Sequence, residues 1–275
     1  MLKKILRFIK IEHTAFSLPL LFTGAWMGAG HAWPSPGVLL GIIAAAVGAR
    51  TFGMACNRIF DRRIDANNPR TAGRELPSGA MGVGTAMAVA LGGLAVYLTA
   101  CALLNRWCLI LAPLPLVPLL GYSLLKRFTS LCHFGIGLCL ALAPLGAFVA
   151  AAGHVDLTAE VLIFSAYVFF WLSGADIIYA LLDIESDRRT GIHSIPAALG
   201  ARQAQVISGL CHLVALAALA LLLVLAGAGW TALLSLCVTL LLFVAMYLPQ
   251  IPIMKRFFPI STLAGVAGAI TPLLV

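Results

Sequence analysis

Acidic side chains are scarce in this chain: ten Asp and Glu stand against eighteen Lys and Arg in 275 residues, and charged residues of both signs make up only 10% of the total. So little charge cannot clothe a water-soluble globule when 61% of the residues are hydrophobic and the mean hydropathy is +1.02. The net charge of +8 comes without an amphipathic basic helix or a basic tract interleaved with aromatics, which argues against nucleic acid as a partner. The seven cysteines are odd in number, lie mostly inside apolar runs and never form a C-x-x-C pair, so they predict no disulfide framework and read as small packing residues.

What is present is a succession of apolar runs. Stretches near 12–30, 38–56, 80–103, 108–125, 131–152, 158–181, 203–227, 230–248 and 259–275 each have about the 17 to 25 residues that cross a bilayer as helix. The expected fold is therefore all-α and integral to the membrane: one domain over 1–275, a bundle of about nine transmembrane helices in contact with lipid. Basic residues are retained on the cytoplasmic side of inserted helices. With the N-terminus inside, nine spans bring seventeen of the eighteen Lys and Arg to that side and leave only Arg106 outside. The expected location is the cytoplasmic (inner) membrane. A signal peptide ending at Gly30-His31-Ala32 is the alternative for the first run, but Glu12 and His13 at its start and its length favour a retained helix.

Seven of the ten acids fall in two windows, Asp61, Asp65 and Glu75 in the first and Asp176, Asp183, Glu185 and Asp187 in the second. Both windows follow an even-numbered span, so the topology puts them on one face, the cytoplasmic one. Asn57, Asp61 and Asp65 recur every four residues, and Asp176, Ala180, Asp183 and Asp187 at steps of four, three and four, which on a helix lines each set along one stripe. Carboxylate and amide oxygens are hard ligands suited to Mg²⁺, which shares a few carboxylates with substrate phosphates. Two facing stripes suit Mg²⁺ and a diphosphate. The alternative, solvated helix-end charges paired with Arg62, Arg63, Arg188 and Arg189, suits one cluster better than two matched ones, because ionisable groups at the hydrocarbon boundary are costly.

The string Asn57-Arg58-Ile59-Phe60-Asp61-Arg62-Arg63-Ile64-Asp65, with Asn68-Pro69-Arg70-Thr71 and Arg74 to Gly79 after it, resembles the first signature of the UbiA prenyltransferase superfamily. Asp176-Ile177-Ile178-Tyr179-Ala180-Leu181-Leu182-Asp183, continuing to Asp187 and Ser194, is similar to the D-x-x-Y-A-x-x-D-x-x-x-D of its 4-hydroxybenzoate-type members. Tyr122-Ser123-Leu124-Leu125-Lys126-Arg127-Phe128-Thr129 resembles its Y-x-x-x-K-R-x-T segment. Three strings in order at alternating helix ends make a specific signal covering essentially the whole chain.

The resemblance implies transfer of a prenyl group from a polyprenyl diphosphate to an aromatic acid, 4-hydroxybenzoate or a dihydroxynaphthoate, in ubiquinone or menaquinone biosynthesis. Asn57, Asp61, Asp65, Asp183 and Asp187 are then the expected Mg²⁺ ligands. Lys126, Arg127 and Arg70 are expected on the diphosphate, inside-positive anchoring being the alternative for the first two. Tyr122 and Tyr179 could shield an allylic cation or serve as interfacial anchors. Arg50, about 10 Å deeper than Asn57 on a continuous helix, is a candidate for the acceptor carboxylate, with pairing to Asp176 as the alternative. Asp176 is a candidate base, and His13 a further cavity candidate. The segments 62–79 and 188–202 are too rich in Pro and Gly to continue as helix and are expected to cap the site against water.

Glu12-His13-Thr14 and Asn57-Arg58, in place of the common Asn-Asp, lean toward the quinone branch, while haem- and chlorophyll-type relatives stay open. Arg58 removes one potential carboxylate from the metal stripe. A secondary transporter would show internal repeats and broken midplane helices, and neither is evident. The D-G-x-x-A-R string of CDP-alcohol phosphatidyltransferases and the D-D-x-x-D pairs of soluble polyprenyl synthases are missing.

Overall fold

The structure is a computed structural model that describes residues 2–10, 12–227 and 229–275, with side chains at all of these but 2, 3 and 12–16. The Glu12, His13 and Thr14 side chains lie outside the described residues. The chain runs through α1 (Leu2–Phe8), α2 (Glu12–Gly28), α3 (Pro36–Asn67), α4 (Val83–Leu104), α5 (Arg106–Leu111), α6 (Pro113–Leu125), α7 (Cys132–Ala152), α8 (Ala159–Ala180), α9 (Ile184–Thr190), α10 (Ile195–Leu199), α11 (Ala201–Ala226), α12 (Trp230–Ala245), α13 (Ile253–Lys255) and α14 (Thr262–Ile270). No strand occurs among the described residues.

Among the described residues, seven helical stretches are long and apolar enough to cross a membrane. The other two expected spans are helices of 17 residues, Glu12–Gly28, and 16 residues, Trp230–Ala245. All nine expected runs are therefore helical, though seven meet the length for a full crossing. Large apolar side chains cover the outside, Leu103 at 82% and Val224 at 78% exposed, as a surface facing lipid rather than water requires.

Three boundaries differ from expectation, each for a local reason. α3 starts at a Ser35 cap with Pro36 in the first turn and runs unbroken to Asn67, because its charged end finds partners that let the helix continue past position 62. The fourth run divides at Ala112, where Pro113 opens α6. The sixth tightens into a 3₁₀ turn over Leu181–Asp183, so Asp187 sits on a separate short helix, α9, while staying within electrostatic reach of Asp183. The segment 188–202 also carries more helix than expected, the short α10 among it.

The core forms around α8, which packs between α7 and α11. Phe164, Tyr167 and Trp171 stack along it, with ring centroids 5.9 and 6.1 Å apart. α14 lies directly on these rings because it presents glycine to them: a Cβ on Gly265 would sit 2.0 Å from Trp171 Cζ2. The Trp171 indole N–H donates to Ser261 Oγ at 3.1 Å and the Tyr167 hydroxyl to the Ala264 carbonyl at 3.1 Å, which satisfies polar atoms that have no water to turn to. α2 approaches α7 just as closely, since a Cβ on Gly24 would lie 2.3 Å from the Pro144 carbonyl oxygen.

These contacts generate a paired test. Gly24→Val drives a side chain into backbone and is expected to destabilise the bundle by about 1–3 kcal/mol. Gly146→Ala, with nothing within 4 Å of the added Cβ, is expected to leave stability unchanged or slightly higher. Thermal unfolding of the two variants in one detergent separates them.

Candidate active site

The site lies where the C-terminal end of α3, the loop after it, the end of α6 and the α8–α10 segment converge. The α3 stripe is as expected: Asn57 Nδ2 donates to Asp61 Oδ2 at 2.9 Å one turn on. Lys126, just past α6, reaches the same Asp61 Oδ2 at 2.7 Å. Arg127 donates to the Phe60 carbonyl at 2.7 Å, and its Nη2 stands 4.0 Å from Asp61 Oδ1. Asp65, one turn further along α3, is gripped by Arg74 Nη1 at 2.7 and 2.8 Å to its two oxygens.

The second window is tied to the first through its loop. Asn68 Nδ2 donates to Asp183 Oδ1 at 2.8 Å, and Arg70 Nε donates to the same oxygen at 2.9 Å while Nη2 pairs with Asp183 Oδ2. Arg70 also donates through Nη1 to the Tyr179 hydroxyl at 2.6 Å, and its guanidinium carbon lies 4.9 Å from the centre of that ring. The other face of the tyrosine is taken by Phe257, with centroids 4.4 Å apart. Burial opposes the Arg70 charge, but the hydrogen bonds to Asp183 and Tyr179 outweigh it and hold the guanidinium above its ordinary pKa. Arg189 Nη2 closes the same seam by donating to the Asn67 carbonyl at 2.9 Å.

Asp187 accepts from Ser194 Oγ at 2.8 Å, and the His193 amide donates to the Lys126 carbonyl at 2.7 Å, so the 191–199 segment, within the 188–202 stretch expected to cap the site, is tied to Asp187 and to the end of α6. Deeper in, Tyr122 lies within electrostatic reach of Asp61, Arg50 and Asp176, which brings all four to one region. Asp176 is paired with His133 of α7, Nδ1 to Oδ2 at 2.7 Å.

These contacts bring the acids, Lys126, Arg127, Arg70, Tyr122, Tyr179 and Arg50 into or beside one region, while the His13 side chain lies outside the described residues. The motif reading passed over Arg74, Asn68 and Ser194 as ligands of the acids, although each stands in the strings that carry the resemblance. It also passed over His133, whose signal was a histidine at the mouth of an apolar run. Arg58 is 4% exposed, with Nε and Nη1 lacking hydrogen-bond partners, and it sits within reach of Asp65 and Glu75.

Among the described residues, no three His, Cys, Asp or Glu side chains are gathered as a ready metal cage. Asp61, Asp65 and Asp183 are held by cations instead. The donor set is nevertheless all oxygen, and Asp61 Oδ1 is buried with no hydrogen-bond partner. An open carboxylate lone pair beside further carboxylates fits a hard divalent cation such as Mg²⁺.

Comparison with known proteins agrees with this geometry. The model of the UbiA prenyltransferase family matches residues 17–256. A 4-hydroxybenzoate octaprenyltransferase from Coxiella burnetii (strain CbuK_Q154) is 34% identical over 175 residues, 64% of this chain and 60% of that protein, so the match spans less than two thirds of the relative's length. A UbiA homologue from Aeropyrum pernix K1, solved in its apo form, is 35% identical with a TM-score of 0.83, covering 95% of this chain and 96% of that one. A UbiA homologue from Archaeoglobus fulgidus bound to GPP and Mg²⁺ shares the fold with a TM-score of 0.66 at 19% identity, over 98% of this chain and 99% of that one.

The rim of the site carries a pH-dependent contact. Arg7 Nε donates to Glu75 Oε1 at 2.6 Å. Burial pushes the Glu75 carboxyl up, but the Arg7 hydrogen bond, a backbone hydrogen bond and the nearby arginine charges together hold it below its ordinary value. A lowered carboxyl pKa contributes stability above the unfolded value of about 4.3 and loses it as pH falls through the folded value. With Arg7 66% exposed, the pair is worth about 0.5 kcal/mol. Amide exchange of α1, corrected for intrinsic rates, is expected to be flat from neutral pH to about 5 and to rise below about 4, and Glu75→Gln is expected to remove that step.

Proposed function

The chain belongs to the UbiA prenyltransferase family, whose members are intramembrane prenyltransferases, and on that premise we propose that it transfers a polyprenyl group from its diphosphate to an aromatic acid, 4-hydroxybenzoate or a dihydroxynaphthoate, in quinone biosynthesis. The observation that carries this reading is the hold of Asn68 and Arg70 on Asp183, which ties together two acid windows more than a hundred residues apart. The octaprenyltransferase name of the Coxiella relative supports the acceptor, and the GPP and Mg²⁺ of the Archaeoglobus structure support the donor and metal.

Asn57, Asp61, Asp65, Asp183 and Asp187 are the residues that would hold Mg²⁺. Bound there, the metal neutralises the diphosphate and makes it a better leaving group. Lys126, Arg127, Arg70 and Arg74 exchange their carboxylate partners for phosphate oxygens, and bidentate guanidinium contacts favour the product diphosphate as its charge grows. The allylic C–O bond breaks with its electron pair staying on oxygen. Tyr122 presents a ring face to the allylic cation left behind, and Tyr179 does so on the face that Arg70 vacates as it turns to the phosphate oxygens. Arg50 takes the carboxylate of the acceptor and so turns the ring toward the cation. A ring carbon forms the new C–C bond, and its proton leaves to Asp176 as aromaticity returns.

The cap over 191–199 keeps water from quenching the cation, and the apolar interior of the bundle takes the tail. In this reading all nine helical runs of residues 1–275, one domain, serve the membrane bundle. The N-terminus and the capping loops lie on the cytoplasmic side of the inner membrane, where the basic residues gather. Arg58, where the common pattern has a carboxylate, takes one potential ligand from the metal stripe and faces Asp65 and Glu75 instead.

The test is product formation by the purified protein in lipid, with Mg²⁺, geranyl diphosphate and either 4-hydroxybenzoate or 1,4-dihydroxy-6-naphthoate. Prenylated product from one acceptor is expected, with Asp61→Ala and Lys126→Ala each lowering turnover by roughly 10²- to 10³-fold. No product from either acid, with diphosphate still bound, would move the acceptor to the haem or chlorophyll precursors.

A further inference from the structure

His133 makes two hydrogen bonds whose donors can be assigned from chemistry. Its ring is buried, with the side chain 3% exposed. Nδ1 lies 2.7 Å from Asp176 Oδ2, and Nε2 lies 3.3 Å from the backbone nitrogen of Ile195. A backbone N–H can only donate, so Nε2 must offer its lone pair and carry no proton. The neutral imidazole then has its proton on Nδ1, and that N–H donates to Asp176 Oδ2. An imidazolium would set an N–H on Nε2 against the N–H of Ile195.

The amide that fixes this tautomer belongs to the cap. Ile195 is the first residue of α10, and Ser194 immediately before it caps that helix while donating to Asp187. The same short segment therefore reaches Asp187 through Ser194 and Asp176 through His133. Asp176 keeps 24% of its side chain accessible, so one carboxylate oxygen is held while the group still faces the site.

We propose that His133 is a positioning residue for Asp176, holding one carboxylate oxygen through a tautomer set by the closed cap, so that the other oxygen alone receives the acceptor's proton. The assignment rests on the prenyl-transfer reading only for the identity of that proton. His133 does not take the proton itself, because protonation of Nε2 would break its hydrogen bond to Ile195. Closing of the 191–199 segment thus completes the base as well as excluding water, which ties proton removal to a dry site.

Two measurements on the full-length protein in lipid test this. The first is the ¹⁵N spectrum of its labelled histidines, with His133→Asn identifying the resonance. The expected spectrum is a neutral ring protonated on Nδ1 that shifts in Asp176→Asn. An Nε2-protonated, doubly protonated or tautomer-averaged ring would overturn the proposal. The second compares His133→Ala with His133→Asn, whose side-chain NH₂ reaches the position of Nδ1. His133→Ala is expected to lower kcat for prenyl transfer roughly 10- to 100-fold, with the KM for geranyl diphosphate and the slow release of diphosphate without acceptor unchanged. His133→Asn is expected to restore most of kcat. Loss of all three readouts together in both variants, or His133→Asn no better than His133→Ala, would show a merely structural role. If the wild type prenylates no aromatic acid, the functional reading fails, and the histidine spectrum still decides the role of His133.

Discussion

The contact of Arg70 and Asn68 with Asp183 is the constraint on which the rest of the site depends. It joins the loop after α3 to the end of α8, and without it the acids of the two windows would be unrelated helix-end charges. Side-chain exposures of 29% for Arg70 and 14% for Asp183 place the pair mostly out of water, where a bidentate ion pair is worth more than at an open surface and a lone charge costs more. Lys126 on Asp61 and Arg74 on Asp65 repeat the arrangement. Asp61, Asp65 and Asp183 are thereby each matched with a cation, so that the site holds these charges close together.

In the proposed function, that pairing is also what would suit the site to a divalent metal and a diphosphate. The cations can turn to phosphate oxygens as the carboxylates turn to the metal, and the total charge of the site changes little in the exchange. Around it the bundle provides rigidity. Glycines at 24, 265 and 268 let α2 and α14 close on the Pro144 backbone and on the α8 aromatics, so the helices that carry the acids stand on a packed base. The cap is fastened by Ser194 and His133 to the acids it covers.

Much of this was legible in the sequence, because lipid imposes a strict grammar on a chain. Apolar runs had to be helices, and all nine expected runs are helical. The rarity of acids made their clustering conspicuous, so Asp61, Asp65, Asp176, Asp183 and Asp187 could be named before any coordinates. What could not be read was the choice of partner. Nothing in the spacing says that Arg74 meets Asp65 while Arg70 crosses to Asp183, since those pairings depend on how the loop folds over the acids. The 3₁₀ turn at Leu181–Asp183 carries no Gly or Pro to announce it. His133 stood alone at the mouth of an apolar run, and its role emerged only from α7 lying beside α8 and beneath the cap.

The central claim, that two distant windows form one diphosphate site, is tested most directly by a double-mutant cycle on binding. Geranyl diphosphate affinity in the presence of Mg²⁺ would be measured calorimetrically for the wild type, Asp65→Asn, Asp183→Asn and the double variant. One shared site predicts coupling of about 0.5–3 kcal/mol between the two substitutions. Effects that simply add, to within about 0.5 kcal/mol, would mean that the windows act separately and would contradict the claim.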